Sequence, residues 1–267
     1  MKTTNCILCG AQSNLVLENK VMGKYSAQYY QCSNCALLFA LNPTWLNEAY
    51  NSAIAKTDTG IVVRNINNVV LINDILKKWY LADSTVLDYG GGTGLFVRML
   101  RDVGYDAVWY DKYSDPILCR GFEWDGSDVD VLLNFEVFEH YDNPLESISE
   151  LFKISSDLIV STELYSDGST LKEKDWWYYQ FETGQHISFY SKETMEFIAK
   201  KFNVNYYYIY GLHWFTKKKI NPISIKLFNY VHRFSITKKK WVKNLNYSNC
   251  LVDMEMLSSS LTQNNYN

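Results

Sequence analysis

Three groups of residues have the types and spacing to do chemistry. The first is Asp88-Tyr89-Gly90-Gly91-Gly92-Thr93-Gly94, with a second acid at Asp111. Glycine tolerates positive φ and lets a ligand approach the backbone closely. A helix starting after such a turn offers unpaired N–H groups. An acid beyond the next strand can accept both ribose hydroxyls, at roughly 1.5–3 kcal/mol for each bond to a charged carboxylate. This is nucleoside-binding chemistry. A dinucleotide site needs GxGxxG with a pyrophosphate at the helix start. The spacing here is GxGxG, and Asp88 stands just ahead of it. An anion there suits a ligand with a cationic end.

The second group is Cys6-x2-Cys9 and Cys32-x2-Cys35, separated by 22 residues. Two such knuckles form the tetrahedral thiolate set of a structural Zn2+. A closed four-thiolate site keeps no open position, so its expected role is folding. One redox pair beside an incidental one is the alternative. Cys119 and Cys250 stand apart and read as packing residues. The third group holds Glu136, Glu139 and His140 in ExxEH spacing, and Gln185-His186 further on.

These groups need elements to hold them. Residues 1–42 read as a small β-rich, zinc-binding module, with Leu15–Leu17 and Tyr29–Gln31 as strand-like text. Residues 43–83 read as a helical linker, with Ile66, Val69, Val70, Ile72, Asn73, Ile75 and Leu76 near a 3.6-residue stripe. Residues 84–215 alternate strand and helix. Strands are expected at 85–88, 107–110, 129–133 and 158–160. Leu95–Val103 reads as a helix closed by Gly104, and Asn143 caps another with Pro144 at its first position. Ser191 caps a third, and Gly211 splits a closing hairpin. This order implies an α/β fold with a doubly wound, largely parallel, Rossmann-like sheet. Residues 216–267 read as a basic helical tail. Nine Lys/Arg and no Asp/Glu fall within 211–252. Ile223, Leu227, Phe228, Tyr230, Val231 and Phe234 form the apolar side of the expected helix there.

Composition excludes some classes. Net charge is −3, so the chain as a whole is no polyanion binder. Residues 1–42 hold only Lys2, Lys20 and Lys24 as basic residues, too few to track phosphates, so nucleic acid is not an expected partner. The first residues lack an apolar leader core, and no run reaches the roughly 18 apolar residues of a bilayer span, which reads as a cytoplasmic protein.

Asp88 to Gly94 resembles motif I of the class I S-adenosylmethionine-dependent methyltransferases. The resemblance implies S-adenosylmethionine as cofactor, with Gly90, Gly92 and Gly94 shaping the turn and Asp111 as the ribose acid. Val129 to His140 is similar to the fourth-strand motif of that family, which implies that Asn134 and Phe135 flank the cofactor. Quinone-pathway O-methyltransferases resemble the ExxEH segment and use it for a divalent metal, which implies Glu136, Glu139 and His140 as ligands. Alternatively, Glu136 and His140 bond locally at a strand-to-helix turn.

The zinc module followed by such a core is similar to bacterial sugar methyltransferases, and the likeness covers about residues 1–215. In some of those, a Glu-His pair before an FS segment does acid–base work. Gln185-His186 falls at that place, which implies His186 as general base, with Glu139 and His140 as further catalytic candidates. Gln in place of Glu speaks against carbanion chemistry on a keto-sugar and leaves O- or N-methylation. His186 as a satisfied structural histidine is the alternative, His213 is a weaker candidate, and His232 is not read as catalytic. The aromatic text from Asp175 to Ser191 reads as a lid over a saccharide or small-molecule acceptor. The basic tail reads as a docked helix with solvated lysine ends, or alternatively as a contact with an anionic membrane surface. A different class also fits: a zinc-ribbon module for RNA or membranes whose core only senses the cofactor.

Overall fold

A computed structural model describes residues 2–50, 60–166 and 176–235. The strands are β1 (Thr3–Asn5), β2 (Gln12–Val21), β3 (Tyr25–Cys32), β4 (Leu38–Ala40), β5 (Thr85–Tyr89), β6 (Asp106–Tyr110), β7 (Val131–Phe135), β8 (Leu158–Ser161), β9 (Ser188–Phe189), β10 (Asn205–Ile209) and β11 (Leu212–Thr216). The helices are α1 (Leu46–Ala49), α2 (Ile61–Trp79), α3 (Leu95–Asp102), α4 (Pro144–Ile154), α5 (Lys192–Lys201) and α6 (Pro222–Ser235). A 3-10 turn covers Phe138–His140. One sheet has the order β1-β2-β3-β4-β9 and the other β10-β11-β8-β7-β5-β6. The chain divides into two compact units, Met1–Ala55 with Asn134–Lys219, and Lys56–Leu133 with Ile220–Asn267. This division differs from the boundaries at 42, 83 and 215 expected from composition.

In the second unit, β5 is the middle strand of a parallel trio. It pairs with β6 through Thr85↔Asp106 to Tyr89↔Tyr110, and with β7 through Val86↔Val131 to Asp88↔Leu133. Val86, Leu87, Val131, Leu132 and Leu133 are fully buried, as expected of strands covered on both faces. Helix α2 buries Val69, Leu71, Ile72, Asn73, Ile75 and Leu76. Helix α6 differs from its expected face: it buries Ile225, Phe228 and His232, while Ile223, Leu227, Tyr230 and Val231 are exposed. His232 Nδ1 lies 3.1 Å from Asp74 Oδ2. The second half of the expected tail, with Lys238–Lys240 and Cys250, lies outside the described residues.

The first unit combines the N-terminal sheet with the remaining strands of the other. The outer part of that sheet is antiparallel, since β11 pairs antiparallel with both β8 and β10. The expected largely parallel arrangement holds for β5–β7, and the closing hairpin expected at Gly211 forms the β10 edge. β9 adds to β4 through Leu38↔Phe189 and Phe39↔Ser188. The N-terminal module is thus completed by residues far along the chain. One apolar cluster joins Leu17, Val21, Tyr29 and Trp45 to Tyr178, Tyr179 and Phe189. Asn143 and Ser191 cap α4 and α5, and Ser191 forms a capping box with Thr194.

Candidate functional site

In the second unit, the end of β5 leads into the glycine turn. Gly90 and Gly91 both donate to the Tyr110 carbonyl, at 2.7 and 3.1 Å, so the turn folds over the end of β6. Trp109 Nε1 donates to the Gly92 carbonyl at 3.1 Å. A Cβ at Gly91 would sit 2.5 Å from the Trp109 ring and 2.9 Å from Asp88 Oδ2. Gly94, at φ +80°, caps α3, and a Cβ there would meet Cys119 Sγ at 2.1 Å. Around Gly92 a Cβ would meet nothing within 4 Å. The turn is therefore packed against protein on two glycines and open on the third. Cys119, read from the sequence as a packing residue, does pack, but nothing in a lone cysteine 25 residues away signals that the residue it seats is Gly94, nor that Gly91 lies against Trp109.

Asp111 accepts from Gly92 N at 2.9 Å, Tyr113 N at 2.7 Å and Ser114 N at 2.9 Å. A carboxylate has about four acceptor positions, so about one is left for a ribose hydroxyl, where the sequence reading had two bonds. Asp88 is 4 % exposed. Burial, and secondarily the charge of Asp111, push its carboxyl up to about 7. A buried carboxylate held near neutrality gains charge when a cation arrives beside it. The residues therefore fit a nucleoside ligand bearing a positive centre.

In the first unit, β7 ends in Asn134 and Phe135, and Asn134 Oδ1 accepts from Tyr141 Oη at 3.1 Å. Glu136 takes φ +56°. Its Oε1 accepts from Ser161 Oγ at 2.6 Å, and its N–H donates to the same residue. Glu136 is thus turned onto Ser161. The residue that joins Glu139 and His140 is His186: its Nε2 lies 4.0 Å from Glu139 Oε1, and that of His140 lies 3.9 Å away. His140 Nδ1 donates to the Gln185 carbonyl at 3.0 Å and His186 Nδ1 to the Tyr178 carbonyl at 2.7 Å. Burial, and then His140, lower the His186 imidazole to about 3, so it is neutral at physiological pH. The Gln185 amide donates to the Ala49 carbonyl at 2.8 Å, a structural role. His213 is bonded on both nitrogens, to Tyr206 Oη and the Thr162 carbonyl.

The aromatic segment is mostly core. Tyr178 and Tyr179 are 1 % exposed, whereas Trp177 is 67 % exposed. The lid expected from composition fails for the two tyrosines because Tyr29, Trp45 and Phe189 supply an apolar surface for them to cover.

The four cysteine sulfurs lie within 4.8 Å of one another, with Cys6–Cys35 at 3.6 Å and Cys9–Cys32 at 3.3 Å. Thiolates around one zinc at about 2.3 Å would be spaced similarly. The donor set fits that ion.

A parallel β5–β7 trio, a glycine turn at the carboxyl end of β5 and an acid just past β6 define a Rossmann-like nucleoside-binding core. The sequence model described as "Methyltransferase domain" matches residues 68–208, more than half of the chain, and the chain belongs to that family. The protein is a methyltransferase of the S-adenosylmethionine-dependent class. No curated protein matches it. Solved structures similar to it include magnesium protoporphyrin IX methyltransferase from Synechocystis with bound SAH (16 % identity, 64 % of this chain, 91 % of that one, TM-score 0.45). Another is the SAH-bound methyltransferase of calicheamicin biosynthesis (16 % identity, 57 % and 53 %, TM-score 0.39). A third is an O-methyltransferase family 2 protein from Planctomyces limnophilus in complex with apigenin (13 % identity, 65 % and 65 %, TM-score 0.39).

Proposed function

We propose that the protein transfers the methyl group of S-adenosylmethionine to an oxygen or nitrogen of a saccharide or glycan-pathway intermediate. The turn from Asp88 to Gly94 carries the donor part of this reading: Asp88 answers the sulfonium and α-amino charge, the open side of Gly92 admits the ligand, and Asp111 takes a ribose hydroxyl. Asn134 and Phe135 are assigned to the cofactor by the likeness of their segment to the family's fourth-strand motif. Methyl transfer is an in-line displacement, so most of the acceleration comes from holding acceptor and donor in line. The saccharide part rests on the order of zinc module and core, on Gln185-His186, and on the exposed Trp177 ring, a surface suited to a sugar face. Glu139, His140 and His186 handle the acceptor. With His186 neutral and its Nε2 bare, it is available as a proton acceptor or as a ligand. The pairing of Glu139 with two imidazoles favours a second reading as well, metal-assisted O-methylation of a quinone-like small molecule.

The four cysteines hold one structural zinc in this reading. The basic tail touches an anionic lipid surface through the side of α6 that bears exposed Ile223, Leu227 and Val231 beside Lys226 and Arg233. The transfer is tested by incubating the full chain with methyl-labelled S-adenosylmethionine and panels of sugar nucleotides, glycans and hydroxyquinones. Label in a saccharide fraction is expected. Label confined to quinones would move the acceptor to the second reading. No label in any acceptor, with no binding of the donor, would contradict both.

A further inference from the structure

Glu139 is fully buried, and among the described residues neither of its carboxylate oxygens has a hydrogen-bond partner. A carboxylate so placed costs several kcal/mol unless something compensates it. Two imidazole nitrogens lie close to Oε1, His140 Nε2 at 3.9 Å and His186 Nε2 at 4.0 Å. These distances are too long for hydrogen bonds. Both imidazoles also spend their Nδ1 proton on a backbone carbonyl, of Gln185 and of Tyr178. A carbonyl can only accept. With Nδ1 held by a carbonyl, each ring turns its Nε2 toward Glu139. A buried carboxyl group and two ring nitrogens converge with no hydrogen bond among them, an arrangement that a bound cation would satisfy.

The spacing admits one. Metal–nitrogen and metal–oxygen bonds run to about 2.1 Å, so two donors of one ion stand up to about 4.2 Å apart. Both measured separations fall inside that limit, and the three donor atoms all lie within 4.8 Å of one another. The carbonyl partners at Nδ1 are the outer contacts that ligating histidines make, fixing tautomer and ring orientation. We propose that Glu139, His140 and His186 bind one divalent first-row transition-metal ion, as a site of two histidines and one carboxylate. Such a site leaves coordination positions open. His140, whose side chain is 22 % exposed, marks the side open to solvent. Glu136, bonded to Ser161, is not a ligand. The use of the open positions, to hold an oxygen of the methyl acceptor, rests on the methyltransferase reading; the binding of the ion does not.

Co2+ is the probe. Full-length protein, with its zinc content measured, is titrated with Co2+ by calorimetry and visible absorption. One equivalent is expected to bind without the thiolate charge-transfer band of a cysteine site, and to raise the melting temperature by linkage. Glu139→Gln should weaken this binding at least tenfold, Glu136→Gln less than twofold, and S-adenosylmethionine should bind both variants as it binds the wild type. Should Glu139→Gln fail to fold, His140→Gln, at the more exposed ligand, must show the tenfold loss. No Co2+ uptake other than at thiolates overturns the site, as does equal affinity in the folded Glu139→Gln or, in its place, His140→Gln variant. Co2+ binding as expected with no binding of S-adenosylmethionine would contradict the methyltransferase reading and support the metal site.

Discussion

At Asp88 the stability of the fold and the proposed ligand binding meet in one residue. Its carboxyl is raised from 3.8 in a free chain to about 7 by burial and, to a lesser degree, by Asp111. The native state therefore binds more protons than the unfolded one between those values. By linkage, this group's contribution is full below about pH 4, falls as pH rises toward 7, and is flat above. Asp88→Asn should then stabilise the ligand-free protein at pH 8, by up to a few kcal/mol, with a smaller gain at pH 5. The same change should weaken S-adenosylmethionine at least tenfold. Thermal melts at the two pH values check the first part; an equal gain at both would contradict it. Gly94 gives a second expectation at this scale. Ala there would meet Cys119 Sγ at 2.1 Å and strain a φ of +80°, so Gly94→Ala should cost roughly 2 kcal/mol or more. Pairing it with Cys119→Ala should recover part of the loss in denaturant titrations. Full recovery would mean that φ strain contributes nothing. Much of this site was legible as text: Asp88, the glycines and Asp111 are close in sequence and of diagnostic type. The packing of Gly91 on Trp109 and of Gly94 on Cys119 was not, because such contacts depend on how neighbouring loops close.

Elements were legible where local chemistry decides them. Pro144 after Asn143, Ser191 before α5, Gly104 after α3 and Gly211 in the β10–β11 turn each act within a few residues. What the text did not give was which elements meet. β9 is two residues long, and its pairing with β4 depends on residues 38 and 189 being brought together. The face of α6 was misread because that helix is apolar on two opposite sides, and the buried side includes His232, a residue type counted as polar. The other side, with Ile223 72 % exposed and Leu227 55 % exposed, is the lipid-facing candidate. Leu227→Glu with Val231→Glu should reduce sedimentation with anionic phospholipid vesicles severalfold and leave melting unchanged. Unchanged sedimentation would contradict the lipid contact. Among the described residues, no helix is long and apolar enough to cross a membrane.

At the scale of the whole molecule, the cysteine module is built into the first unit by β4–β9 pairing and by the shared cluster around Tyr29 and Tyr179. The proposed zinc should therefore support more than residues 1–42. One zinc per chain is expected in protein purified without chelator, and Cys32→Ser should lose it and lower the melting temperature. Zinc-free wild type with unchanged melting would contradict this. The alternation of strand and helix text and the spacing of the cysteine pairs were enough to expect an α/β core with a metal module. They could not show that Glu139, His140 and His186 converge, since His186 reaches the other two only through the long-range pairing of its segment.

The central claim is the donor. Calorimetry of the purified full chain with S-adenosylmethionine and with S-adenosylhomocysteine tests it most directly. The account expects binding at one site, weakened at least tenfold, about 1.4 kcal/mol, by Asp111→Ala. No heat with either ligand, or binding untouched by Asp111→Ala, would contradict it.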